Sequence, residues 1–232
     1  MKTFIKKILK NILNNSNSYK GIISFSQSGE DVIMNRYFEF IGIQSPTYLD
    51  IGANDPEKFS NTYFFYKKGS SGVCVEPNPA LVGKFSKLRP RDRVLNVGVG
   101  ISQEKEADFY IMDWHEFSTL SKERAYKVQT FYNGRNNIKE IVKIPLITIN
   151  EIINNWFSKV PDILNLDVEG IDFEIIQKLD FEKYRPTIIC IESVEITEND
   201  KKQIQLLEFF NSKNYILFAD TSINYIFINN QI

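Results

Sequence analysis

Cysteine and histidine are almost missing from this chain of 232 residues, which has two of the first and one of the second. Cys74 and Cys190 each lie inside an apolar run, GVCVEP and IICIE. They read as small core residues, not as a disulfide or redox pair, and suggest a reducing compartment and a cytoplasmic location. Charge of one sign is also missing: 28 basic residues face 29 acidic ones, and the pI is near 6.0. Nothing global therefore points to nucleic acid as a partner. No apolar stretch approaches the length of a membrane span. The sequence contains neither G-x-G-x-x-G nor G-x-x-x-x-G-K-[ST], which disfavours a dinucleotide dehydrogenase and a P-loop phosphate cradle. The N-terminal MKTFIKKILKNILNN lacks the long hydrophobic region and small-residue cleavage site of a signal peptide.

What is present is an ordinary globular balance, 43% hydrophobic and 25% charged, in a length that suits one large α/β domain. Phe4, Ile5, Ile8, Leu9, Ile12 and Leu13 recur at helical spacing with Lys2, Lys6, Lys7 and Lys10 mostly between them. Residues 1–25 are thus read as a helical extension, either packed on the domain or lying against an anionic membrane surface or a partner. From residue 26 onward a single domain is expected, with short apolar strands alternating with helical segments. Strands are predicted at 47–52, 72–76, 93–99, 107–112, 162–167 and 187–192, then YILFAD and INYIFIN as an antiparallel pair. Helices are predicted over about 60–68, 78–88, INEIINNWF, 172–179 and 200–213, the last with Ile204, Leu207 and Phe210 inward. Residues 113–140 read as a polar, irregular insertion or lid. The pattern implies a mostly parallel, seven-stranded sheet with helices on both faces.

The chemistry concentrates at strand ends. LDIGAND, residues 49–55, runs from a buried strand into a small-residue turn, where open α/β sheets bind ligands. Gly52 and Ala53 leave room for a ligand against the backbone, and Asp50 could bind an ammonium group. Glu76 ends the next strand, where a carboxylate can accept hydrogen bonds from ribose hydroxyls. A neutral turn with a ribose acid suits adenosine carrying a cationic sulfonium. Each feature also has a plainer reading, as a structural turn and a solvated strand-end acid.

With SQSGEDVIMNRYF at 26–38, YLDIGANDPEKFSNTYFFYKKG at 48–69, GVCVEPNP at 72–79, LNVGVG at 95–100, FSTLS at 117–121, LNLDVEG at 164–170 and RPTIICIE at 185–192, the chain resembles the FkbM family of S-adenosylmethionine-dependent methyltransferases. The resemblance implies a Rossmann-like class I methyltransferase fold and an O-methyltransferase acting on a hydroxyl of a sugar or glycan precursor of surface-polysaccharide type. It implies that Asp50, Gly52 and Asn54 form the cofactor turn, and that Glu76 binds ribose with Pro77 and Asn78 beside it. Asn96 and Val97 would border the adenine, and Gln27 and Glu30 would close over the methionine end unless they cap a helix. Ser60, Asn61 and Thr62 either cap a helix or face the cofactor.

Asp167, Glu169 and Glu192 end neighbouring strands and would repel one another unless solvated, protonated or shared with a cation. Asp167 and Glu192 are therefore candidate ligands of Mg²⁺. Otherwise Asp167 hydrogen-bonds cofactor or substrate. Asp167 and His115 are the candidate bases; Gly170 stands where a metal-dependent relative would place a histidine, which counts against a joint metal-and-histidine mechanism. The expected partner is a small-molecule or nucleotide-linked sugar acceptor, with oligomerisation open. The rivals are an N-methyltransferase, which lacks its usual N/D-P-P-Y signature here, and a non-catalytic cofactor-binding scaffold.

Overall fold

The computed structural model describes residues 21–193 and 200–231. The predicted N-terminal helix lies outside them up to residue 20; residues 21–25 form no helix. The chain then runs α1 (Glu30–Ile41), β1 (Tyr48–Ile51), α2 (Tyr63–Lys67), β2 (Gly72–Val75), α3 (Pro79–Leu88), β3 (Arg93–Leu95) and β4 (Gly98–Val99). It continues through β5 (Glu106–Met112), a 3₁₀ turn (His115–Phe117), α4 (Lys122–Phe131), β6 (Ile138–Ile147), α5 (Ile149–Trp156) and β7 (Ile163–Leu166). It closes with α6 (Asp172–Gln177), β8 (Ile188–Glu192), α7 (Asp200–Ser212), β9 (Tyr215–Asp220) and β10 (Asn224–Asn229).

The main sheet has seven strands in the order β3-β2-β1-β7-β8-β10-β9. The first five run parallel, and β10 turns antiparallel against β8 and β9. This is a Rossmann-like α/β fold. The order reverses beside β1, so the crevice above the tips of β1, β2 and β7 is the place where such sheets bind ligands.

Strand alternation builds two cores. Leu49, Ile51, Leu164, Leu166, Ile189 and Ile191 face Ile149, Ile152 and Ile153 of α5, Ile175 and Ile176 of α6, and Phe210 of α7. Their neighbours Tyr48, Cys74, Ile163, Ile188 and Cys190 face Met34 and Phe38 of α1, Phe65 of α2 and Phe85 of α3. Both cysteines are unpaired and buried.

Four expectations need correction. The strand drawn through 93–99 breaks at Asn96 and Val97, and its second part joins a separate small sheet, β4-β6-β5. The helix drawn from residue 60 starts only at Tyr63, because residues 56–62 are held in an irregular loop by buried polar groups. Ile204 points outward at 53% exposure and Leu206 takes the inward place. Residues 113–140 are not irregular throughout. They contain α4, capped by the Ser121 hydroxyl, and Ala125 and Val128 bury against Tyr110 and Met112 with Phe117, Tyr132 and Ile138 around them.

Candidate active site

The tips of β1, β2 and β7 open into a cleft with about 920 Å³ of empty space, its open mouth included. Gln27, Asp50, Gly52, Asn54, Asn61, Glu76, Pro77, Val97, His115 and Asp167 all line it. The structure thus gathers these residues from six separate stretches of chain.

The turn after β1 is shaped by its neighbour strand. Gly52 has φ +81°, and a Cβ there would lie 1.7 Å from the Asp167 carbonyl oxygen. The space expected for a ligand at this glycine is filled by the adjoining backbone, so glycine is needed for close strand-end packing. Its amide and that of Ala53 donate to the Val75 carbonyl at 3.0 and 3.1 Å. Asn54 follows in the left-handed region, φ 49°, which asparagine tolerates.

Glu76 organises the turn from β2. Its two carboxylate oxygens accept the amides of Asn54 and Asn78, each at 2.7 Å. Each oxygen keeps a second acceptor site for a ligand hydroxyl. Burial pushes its pKa up to about 7, against the pull of those two amides. Asn78 lies outside the cleft lining and caps α3, its side-chain oxygen accepting from the Ala80 amide. Asn96 also lies outside the lining. Its amide group donates to the carbonyls of Glu76 and Pro77, both at 2.9 Å, and so fixes the loop that carries the acid.

Beneath the other end of the cleft lies a buried polar lattice. Asp50 accepts from the Thr62 hydroxyl and, at 2.8 Å, from Asn165 Nδ2. Asn165 Oδ1 in turn accepts from Asn61 at 2.9 Å. Burial raises the Asp50 pKa, while the nearby Arg89 cation opposes that rise. Arg89 donates to Asp92, Pro56 O, Ser60 and Thr62. Glu30 does not reach the cleft lining. It accepts from Ser28 N, Thr221 and Asn224, tying α1 to the terminal hairpin. Burial pushes its pKa up, but these bonds hold it lower on balance.

The insertion supplies the opposite wall. His115 Nδ1 lies 2.6 Å from Asn54 Oδ1. If Nδ1 carries the proton it donates to that oxygen, and Nε2 keeps a lone pair. Asp167, Glu169 and Glu192 bring carboxylate oxygens within 4.8 Å of one another. Burial first, and then the neighbouring acids, push Asp167 and Glu192 well above the ordinary carboxylate range. Glu169 is committed to a guanidinium, with Arg124 Nη2 at 2.6 Å. Asp167 and Glu192 thus remain as the pair that could hold a cation, and Glu192 sits outside the cleft lining proper.

Sequence reasoning missed Arg89, Arg124, Lys58 and Phe59. The last two line the cleft, Phe59 with a left-handed φ of 59°. An Arg–Asp pair three residues apart at the end of α3 was the one available signal for Arg89.

Residues 50–217 match the family of the methyltransferase FkbM domain. No curated protein matches the chain. Among solved structures it is similar to an O-methyltransferase from Bacillus cereus in complex with SAH, at 12% identity over 97% of this chain and 89% of that one, with a TM-score of 0.43. A TehB-like SAM-dependent methyltransferase from Corynebacterium glutamicum shows 10% identity over 98% of this chain and 97% of that one, with a TM-score of 0.44.

Proposed function

The chain belongs to the FkbM methyltransferase family, and from that premise we propose that it moves a methyl group from S-adenosylmethionine to a hydroxyl oxygen of a sugar or glycan precursor. The observation that carries this reading is the pairing of Glu76 with a base-bearing wall across one cleft. Each Glu76 oxygen has one amide partner and one free acceptor site, which suits a vicinal diol such as a ribose. Val97 and Pro77 flank that acid with apolar surface for a purine. Asp50 and Asn61 lie toward the other end, where they suit an ammonium and a carboxylate. The donor set therefore fits S-adenosylmethionine, which when bound supplies an electrophilic methyl on a good leaving group.

The chain's own part is alignment, exclusion of water and removal of one proton. His115 Nε2 takes the acceptor's hydroxyl proton, with Nδ1 steadied by Asn54. Asp167 is the competing base: it lines the cleft, no side chain or amide among the described residues hydrogen-bonds its carboxylate, and burial raises its pKa. Glu116, Ser118 and Glu169 give the remaining rim a hydrogen-bonding character that matches a polyol. A Mg²⁺ ion at Asp167 and Glu192 is a second role for the acid cluster. Its support is the oxygen spacing, and Arg124 already balances part of the charge there.

Calorimetry with S-adenosylhomocysteine tests the cofactor half of the proposal. A labelled-methyl screen against nucleotide sugars, glycans and peptides tests the acceptor half. Transfer to peptides alone would replace the hydroxyl reading with an N-methyltransferase, and activity lost in EDTA and restored by Mg²⁺ would bring in the metal. Within the described residues no helix is long and apolar enough to cross a membrane. A peripheral contact through the N-terminal segment and self-association are further proposals, open to vesicle flotation and to sedimentation.

A further inference from the structure

We propose that Arg89 is a positioning residue for the amino-acid end of the methyl donor, holding Asp50 and the 56–62 loop in place from beneath the cleft. The inference rests on the reading of the cleft as an S-adenosylmethionine site. Arg89 follows the last turn of α3, and its side chain is fully buried, as is that of its ion-pair partner Asp92. Nε meets Asp92 at 2.7 Å, and the guanidinium lies 5.4 Å from the ring centres of Tyr48 and Tyr66 and 5.5 Å from that of Phe85. Asp92 is itself held by the Tyr48 hydroxyl and the Gly72 amide. A buried ion pair is weak evidence for a purely stabilising role, since apolar residues often serve as well.

The direction of the remaining donors is more telling. Nη1 reaches Pro56 O at 3.2 Å and Ser60 Oγ at 3.3 Å, and Nη2 reaches Thr62 Oγ1 at 3.0 Å. All three partners lie on the loop whose Lys58, Phe59, Ser60 and Asn61 line the cleft. Because Nη2 donates to Thr62 Oγ1, the hydroxyl's own proton is turned toward Asp50. Asp50 then takes Asn165, and Asn165 takes Asn61, so the circuit returns to the cleft wall. The same grip brackets Phe59, a bulky residue in the left-handed region that persists only where its surroundings over-determine it. Glu76 has no hydrogen bond to this circuit, so the adenosine end of the ligand is served separately.

The test compares S-adenosylhomocysteine with 5′-methylthioadenosine, which lacks the amino-acid group. Affinities are measured by calorimetry on wild type, Thr62→Val, Arg89→Lys and Phe210→Leu. Thr62→Val cuts the link to Asp50 while leaving the guanidinium in place, and it carries the test if Arg89→Lys does not fold. Phe210→Leu, in the core on the opposite face of the sheet, controls for lost stability. Thr62→Val and Arg89→Lys are expected to weaken S-adenosylhomocysteine about tenfold, the scale of one buried hydrogen bond, and 5′-methylthioadenosine less than about twofold. Phe210→Leu should change neither. Equal weakening of both ligands, or none, overturns the positioning role while the cofactor site stands. Wild type that binds neither ligand overturns the cofactor reading and this inference with it.

Discussion

Glu76 is asked to do two things that pull against each other. It must be ionised to accept ribose hydroxyls well, yet its burial places its pKa near 7. The ionised form binds, so affinity for S-adenosylhomocysteine should rise with pH between about 6 and 8, and calorimetry across that range would show it. Glu76→Gln should flatten the profile and weaken binding by about 2 kcal/mol, roughly thirtyfold, because it replaces charge-assisted bonds and turns an amide against a backbone donor. The stability sign is opposite. A raised carboxyl pKa contributes stability that is present below the ordinary value and lost as pH climbs through about 7, so urea melts of the ligand-free protein should show this residue working against the fold near neutrality. The two candidate bases separate in the same way. His115→Ala should lower kcat about 100-fold with little change in cofactor affinity, whereas Asp167→Asn doing so instead would move the proton to the acid cluster.

Between strands and helices, the same substitution has opposite signs at two glycines. Gly52→Ala forces a Cβ onto the Asp167 carbonyl at a positive φ, and neither backbone can rotate away. A loss of at least about 3 kcal/mol in urea melts is expected. Gly83→Ala sits in the middle of α3 with open space around it, and should gain about 0.7 kcal/mol by helix propensity. The insertion offers a third element-scale case. Arg124 of α4 grips Glu169, and Thr119 donates to the Glu169 carbonyl at 2.8 Å, so one residue after β7 fastens the insertion twice. Arg124→Met should cost about 3 kcal/mol by stranding that acid, and Glu169→Gln in the same background should recover part of it in a double-mutant cycle. These details explain what could and could not be foreseen. The strand tips bearing Asp50, Glu76 and Asp167 were legible because apolar strand, small-residue turn and terminal acid are local patterns. Arg89 was not, because it is buried by partners 27 and 33 positions earlier in the chain, and no local pattern records that. Asn78 and Glu30 were placed toward the ligand by motif, while the fold uses them as a helix cap and a tie to the terminal hairpin.

At the scale of the whole molecule, the cleft spans the tips of three neighbouring strands of the sheet. A ligand lying across β1, β2 and β7 would add a further bridge between strand tips that already meet through backbone hydrogen bonds and close packing. Anything that binds the folded state alone stabilises it by mass action, by about 2.7 kcal/mol at one hundred times its Kd. For a domain of this size that corresponds to a rise in Tm of about 5–10 °C. S-adenosylhomocysteine is therefore expected to raise Tm by this amount in a thermal melt, while NAD and ATP, whose phosphate-binding glycine motifs are missing, should leave it unchanged. Glu76 makes the effect pH-dependent: at a fixed ligand concentration the rise should be larger at pH 8 than at pH 6, and equal at both in Glu76→Gln. A rise of the same size at both pH values in the wild type would mean that the ribose is held elsewhere than at this carboxylate, and the ligand would have to be turned in the cleft.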